Sequence, residues 1–246
     1  MSIASAQLAD CWVEAEDDDH LRSEASPQRA APGVARFAEN LAYGLVFALL
    51  AITAFTALAS LPNTWDSMTY HLPRIELQNR SLAFYATAIP RQFDSNILAE
   101  QWILAFRSLR DSYQGANLVQ WLAYAGCILL SGRIVRDLGG ARSAEEMGMQ
   151  PTATLPMAIL QASSTQTDLV MAFFAMASIH YLLRARPDGA VCLVYGAVLA
   201  AALAVHAKWT AVMLLSGFMI VYGGRILIHA RSFRFFGHAL AAIVLA

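Results

Sequence analysis

Residues 41–61 read LAYGLVFALLAITAFTALASL, and residues 63–80, almost directly after them, read NTWDSMTYHLPRIELQNR. The first stretch has no charged residue and is long enough to cross the hydrocarbon core of a bilayer, which takes about 20 helical residues. The second stretch brings Asp66, His71 and Arg74 close together. We therefore expect a membrane-spanning helix that ends where a cluster of ionisable side chains begins.

The composition of the whole chain also predicts a membrane protein. The chain has 246 residues, of which 57% are hydrophobic and 14% are charged, whereas a soluble domain usually carries about 25% charged residues. The charged residues are missing from long blocks, which indicates membrane spans rather than a large soluble core. The net charge of −1 provides no basic field, so we expect no nucleic-acid partner.

The apolar blocks predict an all-α fold, a polytopic bundle of transmembrane helices. The polar residues 1–40 bury little and are expected to form a disordered cytoplasmic tail ahead of a membrane domain, residues 41–246. Pro151 and Pro156 interrupt the third block, and the short last block ends without a polar stop, so we expect a chain cut inside a seventh helix. The predicted spans are residues 41–61, 116–135, 145–163, 168–184, 189–206, 209–228 and 237–246.

Arginine-rich loops set the orientation of the predicted bundle. One set of short loops is rich in arginine, and the opposite set offers only Lys208, the single lysine of the chain. The positive-inside rule places the arginine loops in the cytoplasm, so residues 62–115 form one large extracytoplasmic loop. This assignment requires residues 145–163 to cross. The arginine loops are residues 133–142, 184–188 and 225–234, and the opposite loops are residues 163–167 and 206–208.

The large loop is expected to carry two helices. Helical spacing predicts an amphipathic helix at the membrane surface, and a second, short helix is expected from about Asp66 to Asn79. In the first of these helices the apolar face is Leu98, Trp102, Phe106 and Leu109, and the polar face is Glu100, Arg107 and Asp111.

Three acids are expected on the outer side, and each has two interpretations. Asp66 is either a helix N-cap at the interface or a carboxylate that serves as a general base, an ion ligand or a proton relay. Asp168, at the start of a span, is either a capping acid that the helix dipole favours or, since it lies at the same depth as Asp66, a second functional acid. Glu100 is either part of a solvated helix face or a third acid of the site.

Four basic or neutral nitrogen side chains are candidates for the same site. Arg74, Arg91 and Lys208 are candidate phosphate ligands, because arginine offers a bidentate fork and lysine a point charge. Lys208 alternatively extends its ammonium to the interface. His71 has no metal-ligand spacing; it is either structural or a further substrate contact.

Four segments carry a resemblance to the GT-C class of integral membrane glycosyltransferases, in particular the bacterial branch related to protein O-mannosyltransferases and the lipid A aminoarabinose transferase. The resemblance covers about residues 41–230 and corresponds to the N-terminal part of such enzymes. The matching segments are WDSMTYHLPRIE (65–76), RQFDSNILAEQWIL (91–104), SSTQTDLVMAFF (163–174) and AVHAKWTAVMLL (204–215).

The resemblance assigns a role to each acid and to the lysine. It implies that Asp66 is the catalytic acid of the first loop, Glu100 the later acid of that loop, Asp168 the acid of the second outer loop and Lys208 the lysine before the sixth span. Many relatives have an Asp-Glu pair at the first-loop site, whereas Ser67 follows Asp66 here. That departure affects substrate contacts rather than the single base.

The implied activity is sugar transfer from a polyprenyl-phosphate donor to a lipid, glycan or protein acceptor, at the extracytoplasmic face of the cell's inner membrane. Asp66 is then the general base, and Arg74, Arg91, Lys208 and His71 bind the substrate and its phosphate. Glu100 and Asp168 either hold a divalent cation (Mg, Mn or Zn) or orient the basic side chains.

Two other functions remain open. One is a multi-pass transporter or permease, which the two prolines of the third span favour, because transporters use broken helices. The other is a non-catalytic membrane scaffold, in which Asp66 is replaceable.

Overall fold

The computed structural model describes residues 33–79, 97–110, 112–185 and 191–229. Every regular element in these ranges is a helix, so the predicted all-α class is confirmed. Arg91, the predicted span 237–246 and residues 1–32 of the predicted tail lie outside the described residues. The elements are α1 (Gly33–Ala59), a π-helical segment π1 (Ser67–His71), α2 (Leu72–Asn79), α3 (Leu98–Arg110), α4 (Leu118–Asp137), α5 (Arg142–Thr154), α6 (Pro156–Ala162), α7 (Asp168–Arg184), α8 (Val191–Ala207), α9 (Ala211–Phe218), a second π-helical segment π2 (Met219–Gly223) and α10 (Gly224–His229).

Two of the described helices are long and apolar enough to cross a membrane. They are residues Asn40–Ala59 of α1 and the whole of α4, each 20 residues long. Two apolar segments are shorter, Cys192–Ala207 in α8 and Ala211–Gly223 in α9 and π2. By their length and composition, these two helices support membrane association.

Helix α1 contacts the bundle along one side. The indole N–H of Trp121 in α4 donates a 3.1 Å hydrogen bond to the carbonyl oxygen of Leu50, and the side-chain amide of Asn117 donates one of 3.1 Å to the carbonyl oxygen of Ser60. On the other side Phe47 and Phe55 are about three-quarters exposed. The two contacts show that α1 ends where α4 begins, so the helices are antiparallel.

Helices α4 and α7 run in the same direction. Near their first residues, the backbone N–H of Val170 donates a 3.1 Å hydrogen bond to Gln120 Oε1. Near their last residues, His180 Nδ1 lies 2.6 Å from Asp137 Oδ2. The chain between them must therefore return along the bundle. The end at which both helices begin is called here the site end.

Helices α5 and α6 form that return. Arg136 Nη1 at the end of α4 lies 3.2 Å from Glu145 Oε2 in the first turn of α5. The predicted span 145–163 falls on these two helices rather than on one. Leu155 between them has an extended backbone (φ −63°, ψ 115°), because a proline ring at the next position disfavours the α conformation.

Candidate functional site

The π1 segment opens the candidate site directly after Asp66. The Ser67 hydroxyl lies 2.5 Å from the Thr64 hydroxyl and accepts a 2.7 Å hydrogen bond from Thr165 in the loop before α7. Ser67 and Thr165 are completely buried. π-Helical turns are rare and occur often at functional sites. Here the π-helical turn places Ser67 in the interior. The residue after Asp66 therefore supports the loop, where an Asp-Glu pair would have a second acid.

Asp66 is half-buried, and its carboxylate contacts an amide rather than a cation. Gln166 Nε2 donates a long hydrogen bond of 3.5 Å to Asp66 Oδ2. Asp66 stands at the N-cap position of π1, but its side chain makes no capping hydrogen bond. Within the described ranges no basic side chain forms an ion pair with this carboxylate.

Glu100 is buried between two basic side chains. Its Oε1 atom lies 2.6 Å from His71 Nδ1 and 3.3 Å from Arg74 Nη2. All three side chains are at most 5% exposed. The interpretation of Glu100 as part of a solvated face is therefore wrong: the buried face of α3 carries Glu100 and Ile103, and Leu109 is 83% exposed.

The second oxygen of Glu100, Oε2, is buried and has no hydrogen-bond partner among the described residues. An unsatisfied buried acceptor costs about 1–3 kcal/mol. A buried carboxylate is tolerated here because its other oxygen lies within ion-pair distance of both His71 and Arg74. The cluster is therefore held together by charge rather than by apolar packing alone.

Tyr70 lies among these groups and was not predicted from the sequence. Its ring centroid is 4.2 Å from that of His71, and Arg74 Cζ lies 6.0 Å from the same tyrosine ring. Burial raises the pKa of Tyr70, the charges of Asp66 and Asp168 raise it further, Arg74 lowers it and Glu100 raises it. The three predicted acids thus act electrostatically on one phenol, which stays protonated at neutral pH.

Asp168 and Lys208 form an exposed ion pair. Lys208 Nζ lies 2.5 Å from Asp168 Oδ1, and the two side chains are 39% and 36% exposed. Asp168 is the first residue of α7, where the helix dipole favours a negative charge. Lys208 follows the last residue of α8, so this contact joins the start of one helix to the end of another.

The short loop before α7 connects these groups. Thr165 contacts Ser67, Gln166 contacts Asp66, and Asp168, two residues later, contacts Lys208. Residues from three distant parts of the sequence are thereby brought to the site end. Sequence reasoning missed Thr165 and Gln166, because nothing in their local pattern indicates a partner about 100 positions away.

The predicted metal ligands Glu100 and Asp168 each contact a basic side chain. Within the described ranges no group of three or more His, Cys, Asp or Glu side chains is placed to hold a metal ion. The divalent cation stays a prediction. The ion pairs are the arrangement expected if the two acids orient the basic residues.

A second polar cluster lies at the opposite end of α4 and α7. It contains the His180–Asp137 contact, in which the side chains are 15% and 8% exposed, and the contact of Arg136 with Glu145. These residues tie α4 to α5 and α7. His180 is a packed, hydrogen-bonded side chain.

Comparisons of the chain with protein-family models, with curated proteins and with solved structures find no match. The functional assignment therefore depends on the chemistry of the site.

Proposed function

We propose that this protein is a membrane glycosyltransferase that transfers a sugar from a polyprenyl-phosphate donor to an acceptor hydroxyl at the extracytoplasmic face, with Asp66 as general base. One observation carries the proposal: of the three acids at the site end, Glu100 and Asp168 have basic partners and Asp66 has an amide. An adjacent positive charge stabilises a carboxylate and lowers its basicity. Asp66 is the acid best suited to accept a proton.

The membrane setting is part of the proposal. We take α1, α4, the α5–α6 pair, α7, α8 and the segment from α9 to α10 as six crossings of the cell's inner membrane. The arginine-rich loops lie in the cytoplasm according to the positive-inside rule. The parallel direction of α4 and α7 supports this topology, because it requires the chain to return between them. The site end then faces the extracytoplasmic side, where a lipid-linked donor places its sugar.

The chemistry of the proposed reaction uses the site residues as follows. Asp66 accepts the proton of the acceptor hydroxyl while the hydroxyl oxygen attacks the anomeric carbon. The bond from that carbon to the phosphate oxygen breaks, the configuration inverts, and polyprenyl phosphate leaves. General-base assistance of this kind contributes about 10²–10⁴-fold to a rate. The acceptor is a lipid, a glycan or a protein.

The basic residues stabilise the charge that develops on the leaving phosphate. Lys208 is the exposed cation and contacts the phosphate directly. Arg74 is buried against Glu100, so it and His71 contribute mainly by fixing the position of α2, and Arg91 remains a predicted phosphate ligand. Glu100 and Asp168 orient the cations, and a divalent cation remains the alternative role for these two acids.

The experiment is a transfer assay on the full chain in lipid vesicles, with a panel of undecaprenyl-phosphate hexoses and pentoses as donors. Mass spectrometry measures the release of undecaprenyl phosphate. Asp66→Asn should abolish release while membrane insertion stays normal. The matched control is Asp137→Asn, which removes an acid from the opposite end and should retain activity.

Near-normal release by Asp66→Asn would reject the assigned base. A transporter remains the second candidate, because the break between α5 and α6 is the feature that broken-helix transporters share. It predicts that the same vesicles accumulate substrate without chemical change. A scaffold predicts neither release nor uptake, with or without Asp66.

A further inference from the structure

Two ion pairs at the site end, Arg74–Glu100 and Lys208–Asp168, differ in their exposure to solvent. Arg74 and Glu100 are 1% and 0% exposed, whereas Lys208 and Asp168 are 39% and 36% exposed. Separating the first pair would move charged groups apart in the interior, where water cannot solvate them, and this is unfavourable. Separating the second pair exposes both groups to water or to a ligand. Only the second pair can exchange partners at low cost.

Asp168 and Lys208 can each be stabilised after the ion pair between them separates. Asp168 begins the 17-residue helix α7, and the N–H groups of its first turn stabilise the carboxylate when the ammonium leaves. Lys208 lies between α8 and α9 on a flexible four-carbon stem, and its ammonium is a point charge that accepts oxygen ligands from many directions. The phosphodiester of a sugar donor competes for this ammonium with one negative charge, and the polyprenyl phosphate left after transfer, a monoester, competes with nearly two.

We propose that Asp168 is an exchangeable counter-ion: it holds Lys208 in position in the empty site and releases the ammonium to the phosphate of polyprenyl phosphate, the lipid that sugar transfer leaves in the site. Asp168 is then a positioning residue that sets affinity for the phosphate, and it does not touch the reacting atoms. This inference rests on the proposed function, because it assumes a phosphate-bearing ligand at the site end.

The test measures binding of farnesyl phosphate and of farnesol, its uncharged match, to the full chain in detergent. Tryptophan fluorescence serves as the signal, since Trp209 adjoins Lys208 and is 61% exposed. Lys208→Gln should lose about tenfold of the preference for the phosphate, the scale of a charge-assisted hydrogen bond. Asp168→Asn should bind farnesyl phosphate about two- to five-fold more tightly, the scale of an exposed ion pair.

A double variant separates counter-ion exchange from a general change of the electric field. In the Lys208→Gln background, Asp168→Asn should give no further tightening. An equal gain in both backgrounds, or unchanged or weaker binding by Asp168→Asn alone, would overturn the inference. Asp137→Asn, at the opposite end of the bundle, should leave the affinities for farnesyl phosphate and farnesol unchanged.

The unsubstituted protein provides a measurement that does not depend on the folding of variants. Lys208 is the only lysine in the chain, so amine acylation at a side chain reports on it alone, and carbodiimide labelling followed by peptide mass spectrometry reports on Asp168. Farnesyl phosphate should lower the labelling of Lys208 and raise that of Asp168, whereas farnesol should change neither. A fall in the labelling of both residues, or no change in either, would contradict the exchange.

The two proposals fail differently in these experiments. Equal affinity of the unsubstituted protein for farnesyl phosphate and farnesol would show that no phosphate site exists, which rejects the proposed donor. A clear preference for the phosphate that Asp168→Asn leaves unchanged would reject the counter-ion and leave the donor assignment standing.

Discussion

The hydroxyl of Thr165 donates a 2.7 Å hydrogen bond to the hydroxyl of Ser67, although 98 positions separate the two residues in the chain. Both side chains are completely buried, so the contact is part of the core. It holds the loop before α7 against π1. Asp66 lies next to Ser67 in the sequence, and Asp168 lies three positions after Thr165. The hydrogen bond thereby keeps the two acids at the same end of the bundle.

Replacement of Glu100 by glutamine is expected to destabilise the protein strongly. The substitution removes the negative charge that lies between His71 and Arg74, where all three side chains are at most 5% exposed. Breaking a buried ion pair in this way typically costs about 3–5 kcal/mol. The measurement is the thermal unfolding midpoint of the purified protein in detergent.

The matched control for Glu100 is Glu76→Gln on the neighbouring helix. Glu76 pairs with Arg107 at 2.7 Å, but the side chains are 29% and 21% exposed. Water compensates for a lost charge there, so we expect a much smaller change in the unfolding midpoint. Equal midpoints for the two variants would contradict the buried, charge-dependent character of the Glu100 cluster.

Tyr113 is expected to make stability fall in strongly alkaline solution. Burial raises the pKa of Tyr113 to about 12, and its 2.6 Å hydrogen bond to Glu76 contributes in the same direction. The folded state therefore favours the protonated phenol relative to the unfolded chain, whose tyrosines titrate near pH 10. This contribution is complete below pH 10 and is lost as the pH rises toward 12.

Two measurements check the Tyr113 prediction. The 295 nm absorbance difference between the unsubstituted protein and Tyr113→Phe should titrate near pH 12 and move to lower pH in Glu76→Gln. The unfolding midpoint of Tyr113→Phe should fall less between pH 9 and 11.5 than that of the unsubstituted protein. A titration of Tyr113 near pH 10 would contradict its burial and its hydrogen bond to Glu76.

An alanine at Gly132 is expected to destabilise the protein because α4 and α5 pack closely there. A Cβ atom at Gly132 would lie 3.0 Å from the carbonyl oxygen of Glu145 and 3.0 Å from the Met149 side chain. Gly132→Ala should cost about 1–3 kcal/mol of stability, as overpacking usually does.

At Gly44 in α1 a Cβ atom meets nothing within 4 Å. Gly44→Ala should therefore be neutral or stabilising, since alanine is the better helix former. Similar losses for both alanine variants would argue against close packing at Gly132.

Cysteine labelling from outside the cell tests the proposed topology. Asn63 precedes Asp66, and Arg142 begins α5; both positions are exposed. With the native cysteines replaced, a membrane-impermeant maleimide should label Asn63→Cys in intact cells and should label Arg142→Cys only after the membrane is opened. Labelling of Arg142→Cys in intact cells would invert the assigned sidedness.

Part of the candidate site followed from local sequence and topology. Asp66, Asp168 and Lys208 were predicted from their places at the ends of apolar blocks, and the structure brings Asp168 and Lys208 into contact. Gln166, Thr165 and Tyr70 were missed. Their importance depends on contacts across the bundle, and hydropathy and helical spacing carry no information about such contacts.

The sequence by itself determined that the chain is helical and where its apolar blocks lie, because helical periodicity and hydropathy are local properties of a segment. The tertiary structure alone decided that Glu100 is buried and charge-paired, and that Asp66 contacts an amide while Asp168 contacts a cation. Those outcomes depend on which side chains meet when distant helices pack. In a bundle of low polarity, the charge of a neighbour sets the chemistry of an acid more strongly than the residues beside it in the chain.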